Sequence, residues 1–149
     1  MTTFRERLVP GVGTALALIL LAPAVALVVL PLGFPAAAPL VAAVVVTAAA
    51  EALLFGLTPV IEVRDGELRV GAARIPVGQT GEVESLRGPE ARHARGPGLD
   101  ARAYTVFRPS IDPVLKIEIT DPDDPVPYWL ISTRRPDELA GALAAARTR

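Results

Sequence analysis

Two blocks of the chain are apolar on every helical face, from about Val9 to Leu30 and from about Ala36 to Leu57, and no charged residue lies between Leu8 and Ala50. A helix on a soluble domain carries a polar face, so an uncharged block of this length predicts apolar surroundings on all sides. Each block holds roughly 20 residues, which at 1.5 Å per residue matches a ~30 Å hydrocarbon layer. Between them, Pro31-Leu32-Gly33-Phe34-Pro35 is rich in turn formers and too short to be a domain. The pattern predicts a transmembrane hairpin with a tight loop, kinked in its first helix at Pro23.

From Val60 the period changes from helical to alternating. Ile61 and Val63 alternate with Glu62 and Arg64, and Asp65-Gly66 then supplies a two-residue turn before Glu67-Leu68-Arg69-Val70. Asp-Gly between alternating runs predicts a β-hairpin, because both turn positions need positive φ. Further strands are predicted over 72–76, 81–86, 103–107, 114–120 and 127–132. Leu115–Thr120 alternates most regularly, as a strand with one buried and one wet face does. The glycines and prolines of Arg87–Asp100, with little apolar pattern, predict a long loop. Asp121–Pro125 predicts a turn. Pro136 at a first helical position, Asp137 and Glu138 in the first turn, and Leu139, Ala142, Leu143 and Ala146 along one stripe predict a final helix over 136–147.

The predicted organisation is therefore an N-terminal arm (1–8), a two-helix transmembrane hairpin (9–57, with helices at about 9–30 and 36–57) and a β-rich domain (58–149). The fold class is a membrane α-helical hairpin plus an α+β domain of about seven short antiparallel strands and a C-terminal helix. That element order is the one found in pleckstrin-homology-like barrels, where the helix plugs an open end.

Arg5 and Arg7 precede the first apolar run, Arg64 and Arg69 follow the second, and the loop between carries no basic residue. The positive-inside rule then puts both termini in the cytoplasm of a multi-pass protein of the cell membrane. The competing reading is a secretory signal cleaved at Ala36-Ala37-Ala38, but its apolar region exceeds the usual 7–15 residues. Both topologies leave the β-rich domain cytoplasmic.

The string Pro127-Tyr128-Trp129-Leu130-Ile131-Ser132-Thr133-Arg134-Arg135-Pro136-Asp137-Glu138-Leu139 resembles the signature of an actinobacterial membrane-protein family known as domain of unknown function 3093. The likeness extends through Glu6-Arg7-Leu8, the paired apolar runs, Asp65-Gly66-Glu67-Leu68, Ala73-Arg74-Ile75-Pro76, Arg102-Ala103-Tyr104, Arg108-Pro109 and Asp121–Pro125. One departure is at Ser110-Ile111, where an aromatic is expected after Arg-Pro. The resemblance implies a two-helix anchor and a source phylum. It implies no reaction, substrate or catalytic residue.

Composition narrows the chemistry further. The net charge of −1 gives no footprint for nucleic acid, and the absence of cysteine excludes disulfides, thiolate metal sites and cysteine nucleophiles. There is no phosphate-cradling glycine loop and no G-x-S-x-G elbow. His93, the only histidine, falls in the predicted loop and reads as a solvated residue. Asp121, Asp123 and Asp124 read as a proline-stiffened turn before they read as a calcium site. No catalytic residue, metal or cofactor is predicted.

Three groups remain as candidate binding residues. Tyr128 and Trp129 are strand neighbours and must face opposite sides, one in the core and the other available as a platform. With Arg134 and Arg135, which precede a helix N-terminus, they form a candidate partner or anion site. The bland reading spends those arginines on salt bridges to Asp123, Asp124, Asp137 or Glu138. Arg92, Arg95, Arg102 and Arg108 are candidates for anionic headgroups, against the reading of a solvated loop. Glu51, with Thr47 one turn earlier and Thr14 at similar depth on the first helix, is a candidate intramembrane contact, against a carboxyl that snorkels or protonates. The expectation is a membrane-anchored, non-enzymatic binding or adaptor module whose partners are the bilayer and a membrane protein or anionic lipid. The alternative is an accessory subunit of a larger membrane complex that assembles through the hairpin.

Overall fold

The computed structural model describes residues 2–35 and 37–148, with Thr2 described by its backbone alone. Met1, Ala36 and Arg149, which bound the predicted arm, second apolar run and β-rich domain, lie outside the described residues. The chain divides into two compact units. One comprises the chain up to Leu8 together with everything from Pro59 onward, and the other is Val9–Thr58.

The first unit is an α+β domain with two four-stranded sheets. Sheet 1 is an antiparallel meander of β1 (Thr2–Arg7), β2 (Val60–Arg64), β3 (Glu67–Val70) and β4 (Ala73–Pro76), in that spatial order. Asp65 (φ 50°) and Gly66 (φ 78°) make the predicted two-residue turn between β2 and β3. The residues read as an arm are thus a strand. Phe4, Glu6 and Leu8 point inward and Arg5 and Arg7 outward. A glutamate at an inward position hides that alternation from a sequence reading.

Sheet 2 contains β5 (Thr80–Leu86), β6 (Tyr104–Val106), β7 (Val114–Ile119) and β8 (Tyr128–Ser132) in the order β5-β7-β8-β6. The strand pattern matches the predicted runs closely, with one correction to the pairing: β6 lies parallel to β8, not antiparallel. The connection from β5 to β6 explains it. Gly88–Arg95 is an α-helix, α3, where a loop was expected. Pro89 sits in its first turn with Glu90, and Arg92, His93 and Arg95 lie in its last turn, as the helix dipole favours. Its apolar stripe consists of alanines, of which Ala91 is fully buried, too small a signal to stand out in an Arg-rich segment.

The last helix, α4 (Pro136–Arg147), begins and ends where predicted. It contacts β1 and β2 of sheet 1 and β5 and β7 of sheet 2, burying Leu139, Ala142 and Leu143. The main core joins these to Ile61, Val63, Leu68 and Val70 of sheet 1 and Leu115, Ile117, Trp129 and Ile131 of sheet 2. A smaller cluster of Ala91, Val114 and Leu130 lies on the other face of sheet 2, beneath α3.

The second unit is a helical hairpin. Its helices are α1 (Val12–Val29), extended by a 3-10 turn to Leu32, and α2 (Ala38–Gly56). The apolar stretches of 21 and 19 residues are long and apolar enough to cross a membrane. Helix α1 starts three residues later than predicted, after Pro10-Gly11. Gly33 turns the chain at φ 74°. On α1, half-buried Ala15, Leu18, Ala22 and Val25 recur at helical spacing, and they meet a stripe of α2 that includes Pro39, Ala43, Thr47 and Ala50. The alanines in these stripes let the two helices approach closely. The other faces expose Leu16, Leu20, Leu27, Val41, Val45 and Leu53.

Candidate functional site

The outward face of sheet 2 would ordinarily be wet, yet it carries Leu86 on β5, Val114 on β7, and Tyr128 and Leu130 on β8. Helix α3 folds over one end of this face and leaves a groove of about 630 Å³ beside it. One wall is α3, through Pro89, Glu90, His93 and Ala94, and the floor is Leu86, Lys116 and Tyr128. The volume falls in the range of small-ligand sites, which are about 300–1,000 Å³ and mostly apolar with a few placed polar groups.

Neighbours fix each polar group of the floor. The Tyr128 hydroxyl accepts the Asp100 N–H at 2.8 Å and lies 3.5 Å from the Gly98 carbonyl, so the ring is pinned by the chain that follows α3. The Lys116 Nζ stands 5.2 Å from the Tyr128 ring centroid and donates to Glu84 Oε2 at 3.0 Å. Glu82, Glu84 and Glu118 line a smaller neighbouring pocket of about 250 Å³ over Pro127. The groove therefore has an aromatic and aliphatic floor, one cation and a rim of carboxylates. His93 lies at its edge. A Cβ on Gly98 would come within 2.8 Å of the imidazole, so that position must be glycine if the ring is to stay there.

Helix α3 is held down at both ends by Asp112. Its Oδ2 accepts the Gly88 N–H at 2.8 Å and its Oδ1 accepts from Arg95 at 3.2 Å, while Arg95 also donates to the Ile111 carbonyl. The Gly88 N–H bond first, and then Arg95, hold the Asp112 carboxyl below the usual aspartate range. A depressed carboxyl contributes stability that is present above its unfolded value of about 3.9 and is lost as pH falls through its lower folded value. Acidification below pH ~4 is therefore expected to loosen α3 before the sheets. Amide shifts of Gly88 and Ala91 would report this; shifts that stay constant through that range while Asp112 titrates would contradict it.

The sequence-derived candidates are placed as follows. Tyr128 and Trp129 do face opposite sides. Trp129 is buried against Tyr104, with ring centroids 4.9 Å apart, and Tyr128 floors the groove. Arg134 and Arg135 lie apart from that groove, against β1. The Arg134 N–H donates to Glu6 at 3.0 Å. Arg135 donates to the Arg5 carbonyl at 2.7 Å and to Glu138 at 3.1 Å, and its guanidinium lies 4.8 Å from the Phe4 ring centroid. Arg95 is spent on Asp112, Arg102 chelates Asp100, and Arg92 reaches the Gly88 carbonyl. Arg108 is half-buried beside β8, its N–H bonded to Ser132. The carboxylates of Asp121 and Asp124 accept backbone N–H groups within their own turn. Glu51 and Thr47 are both half-buried, whereas Thr14 is exposed on α1.

Sequence reading missed Leu86, Pro89, Glu90 and Lys116 as groove residues. The signal was present as Pro89 at a helix start followed by Ala91 and Ala94 at helical spacing. Without α3 there was no wall, and so no groove.

The family model described as "Protein of unknown function (DUF3093)" matches residues 3–143, a span that runs from β1 into α4. No curated protein and no solved structure matches the chain.

Proposed function

We infer that this chain, which belongs to the DUF3093 family, is a membrane-anchored, non-enzymatic binding module that presents the groove beside α3 to the cytoplasm. The two long apolar helices support the anchoring, and the observation that carries its topology is the pairing of the two chain ends that flank them. Arg7 pairs with Val60, and the Leu8 N–H donates to the Pro59 carbonyl at 3.0 Å. Because β1 and β2 are antiparallel neighbours, a bilayer entered by Val9–Thr58 would have both ends of that segment on one side, which supports an even number of spans. The arginines at both ends favour the cytoplasmic side. A signal cleaved between the helices would strip β1 from its sheet, which speaks for retention of α1.

The groove suits an apolar ligand or chain segment bearing positive charge, since Glu90, Glu82 and Glu118 outnumber the one cation that Glu84 already engages. The two-sheet arrangement supports a pleckstrin-homology-like reading of the domain. Strands β5, β7 and β8 continue an antiparallel meander, α3 and β6 are an insertion within it, and α4 lies across both sheets.

The chain lacks cysteine, so single-cysteine variants report topology cleanly. In intact cells, an impermeant maleimide is expected to label Phe34→Cys in the hairpin loop, and Gly141→Cys on α4 only after permeabilisation. Labelling of Gly141→Cys in intact cells would overturn the reading.

A second reading, an accessory subunit assembled through the hairpin, draws on Thr47. Its hydroxyl oxygen is buried without a hydrogen-bond partner among the described residues, one turn from Glu51. Loss of a stoichiometric membrane partner from Glu51→Gln and Thr47→Ala chains would favour that reading.

A further inference from the structure

Sheet 1 buries one face, and its other face is unusually basic. Arg5 and Arg7 on β1, Arg64 on β2, Arg69 on β3 and Arg74 on β4 all point outward and are exposed, with only Glu62 and Glu67 as acids among the outward strand positions. The register sets Arg5, Glu62, Arg69 and Arg74 opposite one another in a single cross-strand row. Like charges directly opposed on a sheet are destabilising, and Arg69 faces Arg74. Arg64 pairs with Asp65 and Arg69 with Glu67, whereas among the described residues no ion pair engages the side chains of Arg5, Arg7 or Arg74. A face that keeps adjacent guanidinium groups with too few local acids is built to meet an external anion. Guanidinium forks match phosphate oxygens two at a time.

The connectivity indicates which phosphate. This sheet contains the two strands that lead into the apolar helices, and only Leu8–Gly11 separates Arg7 from the start of α1. Four residues reach about 14 Å when fully extended, little more than the ~8–10 Å over which physiological salt screens charge. Tethering at that range makes contact with headgroups effectively intramolecular. We propose that the outward face of sheet 1 binds the phosphates of anionic phospholipids in the leaflet beside it. The proposal rests on the anchored reading above and is separate from the groove, which lies on the other sheet.

The test uses the full chain in nanodiscs of phosphatidylcholine, alone or mixed with phosphatidylglycerol. Pro76→Cys places a probe on the outward face at the β4 edge, and Ala144→Cys on α4 is the control. Maleimide labelling of Pro76→Cys is expected to slow in the anionic discs, by about fivefold for each arginine engaged. Labelling of Ala144→Cys is expected to stay constant. Salt near 1 M, which shortens the screening length to ~3 Å, should restore the rate. Arg74→Glu or Arg5→Gln should recover a similar factor while the emission of Trp129, the single tryptophan, shows the fold intact. Equal rates in both lipids, or slowing that survives those substitutions in a folded chain, would overturn the proposal. Slowing seen only on adding an acidic protein fraction would also overturn it, by making the anion a protein. Failure to enter nanodiscs at all would instead count against the anchor.

Discussion

A chain that begins at Pro59 is expected not to fold, whereas one in which an Asn-Gly turn replaces Val9–Thr58 is expected to be folded and soluble. The β-rich segment alone lacks β1, and with it Phe4 and Leu8, which are 5% and 0% exposed in the main core. Removing both forfeits about 1.5–3 kcal/mol of apolar burial each. It also uncovers β2 and the N-terminal end of α4. A domain of this size has only about 5–15 kcal/mol in total, so the truncated chain should lose cooperative unfolding. The turn replacement keeps β1. The Leu8 N–H already donates to the Pro59 carbonyl, so a two-residue type I′ turn spans the pair, with Pro59→Thr supplying the N–H that the turn's closing bond to the Leu8 carbonyl needs. Sedimentation after membrane removal, a thermal melt and Trp129 emission would compare the two. A Pro59–Arg149 fragment with an unchanged cooperative melt would refute the role given to β1.

Glu6→Ala is expected to cost about 2–4 kcal/mol, a large fraction of the stability of so small a domain. The Glu6 side chain is 6% exposed and points into the sheet-1 core edge, where an apolar residue would be the default. It stays because it answers one buried donor and one partly buried donor. One carboxylate oxygen accepts from the Thr133 hydroxyl at 2.5 Å, and the other accepts from the Arg134 N–H at 3.0 Å. Alanine would leave both donors without an acceptor, at about 1–3 kcal/mol each. Glu6→Gln keeps the shape and one acceptor and should cost roughly half as much. Urea unfolding of the turn-closed domain would measure both. A Glu6→Ala variant within ~0.5 kcal/mol of the parent would show that the pairing contributes little.

These two expectations mark where the sequence could and could not be read. The helices of the hairpin, seven strands and α4 were legible because each rests on a local period: apolar all round, alternating, or one stripe at 3.6. Strand β1 failed on one residue. Glu6 occupies an inward position, and its justification lies with Thr133 and Arg134 at the far end of the chain. Helix α3 failed for the opposite reason, since alanines bury well but signal weakly among arginines and glycines. The candidate site was half legible. Opposite facing of Tyr128 and Trp129 follows from strand geometry alone, but the wall that makes Tyr128 part of a groove was not predicted. Arg134 and Arg135 show how a basic pair at a helix start is consumed internally. Their partners lie on β1, whose strand character the inward Glu6 hides in the sequence. The outward arginines of sheet 1 are scattered along the sequence from Arg5 to Arg74, and only the strand register brings them into a row.

The insertion of the hairpin between β1 and β2 also orders the protein's biogenesis. At about 5–20 residues per second, the ribosome makes β1 roughly 3–10 s before β2 follows it. During that interval both apolar helices are made. Strand β1 then waits longer still, because Thr133 and Arg134, which hold its Glu6, lie 127 and 128 residues further along. The sheet can close only after β2 has been made, and Glu6 finds its partners only after Thr133 and Arg134 have been. Synthesis of the apolar helices therefore comes first and closure of the sheet second. A ribosome that stalls between the two leaves a nascent chain with both apolar helices made and β1 still unpaired.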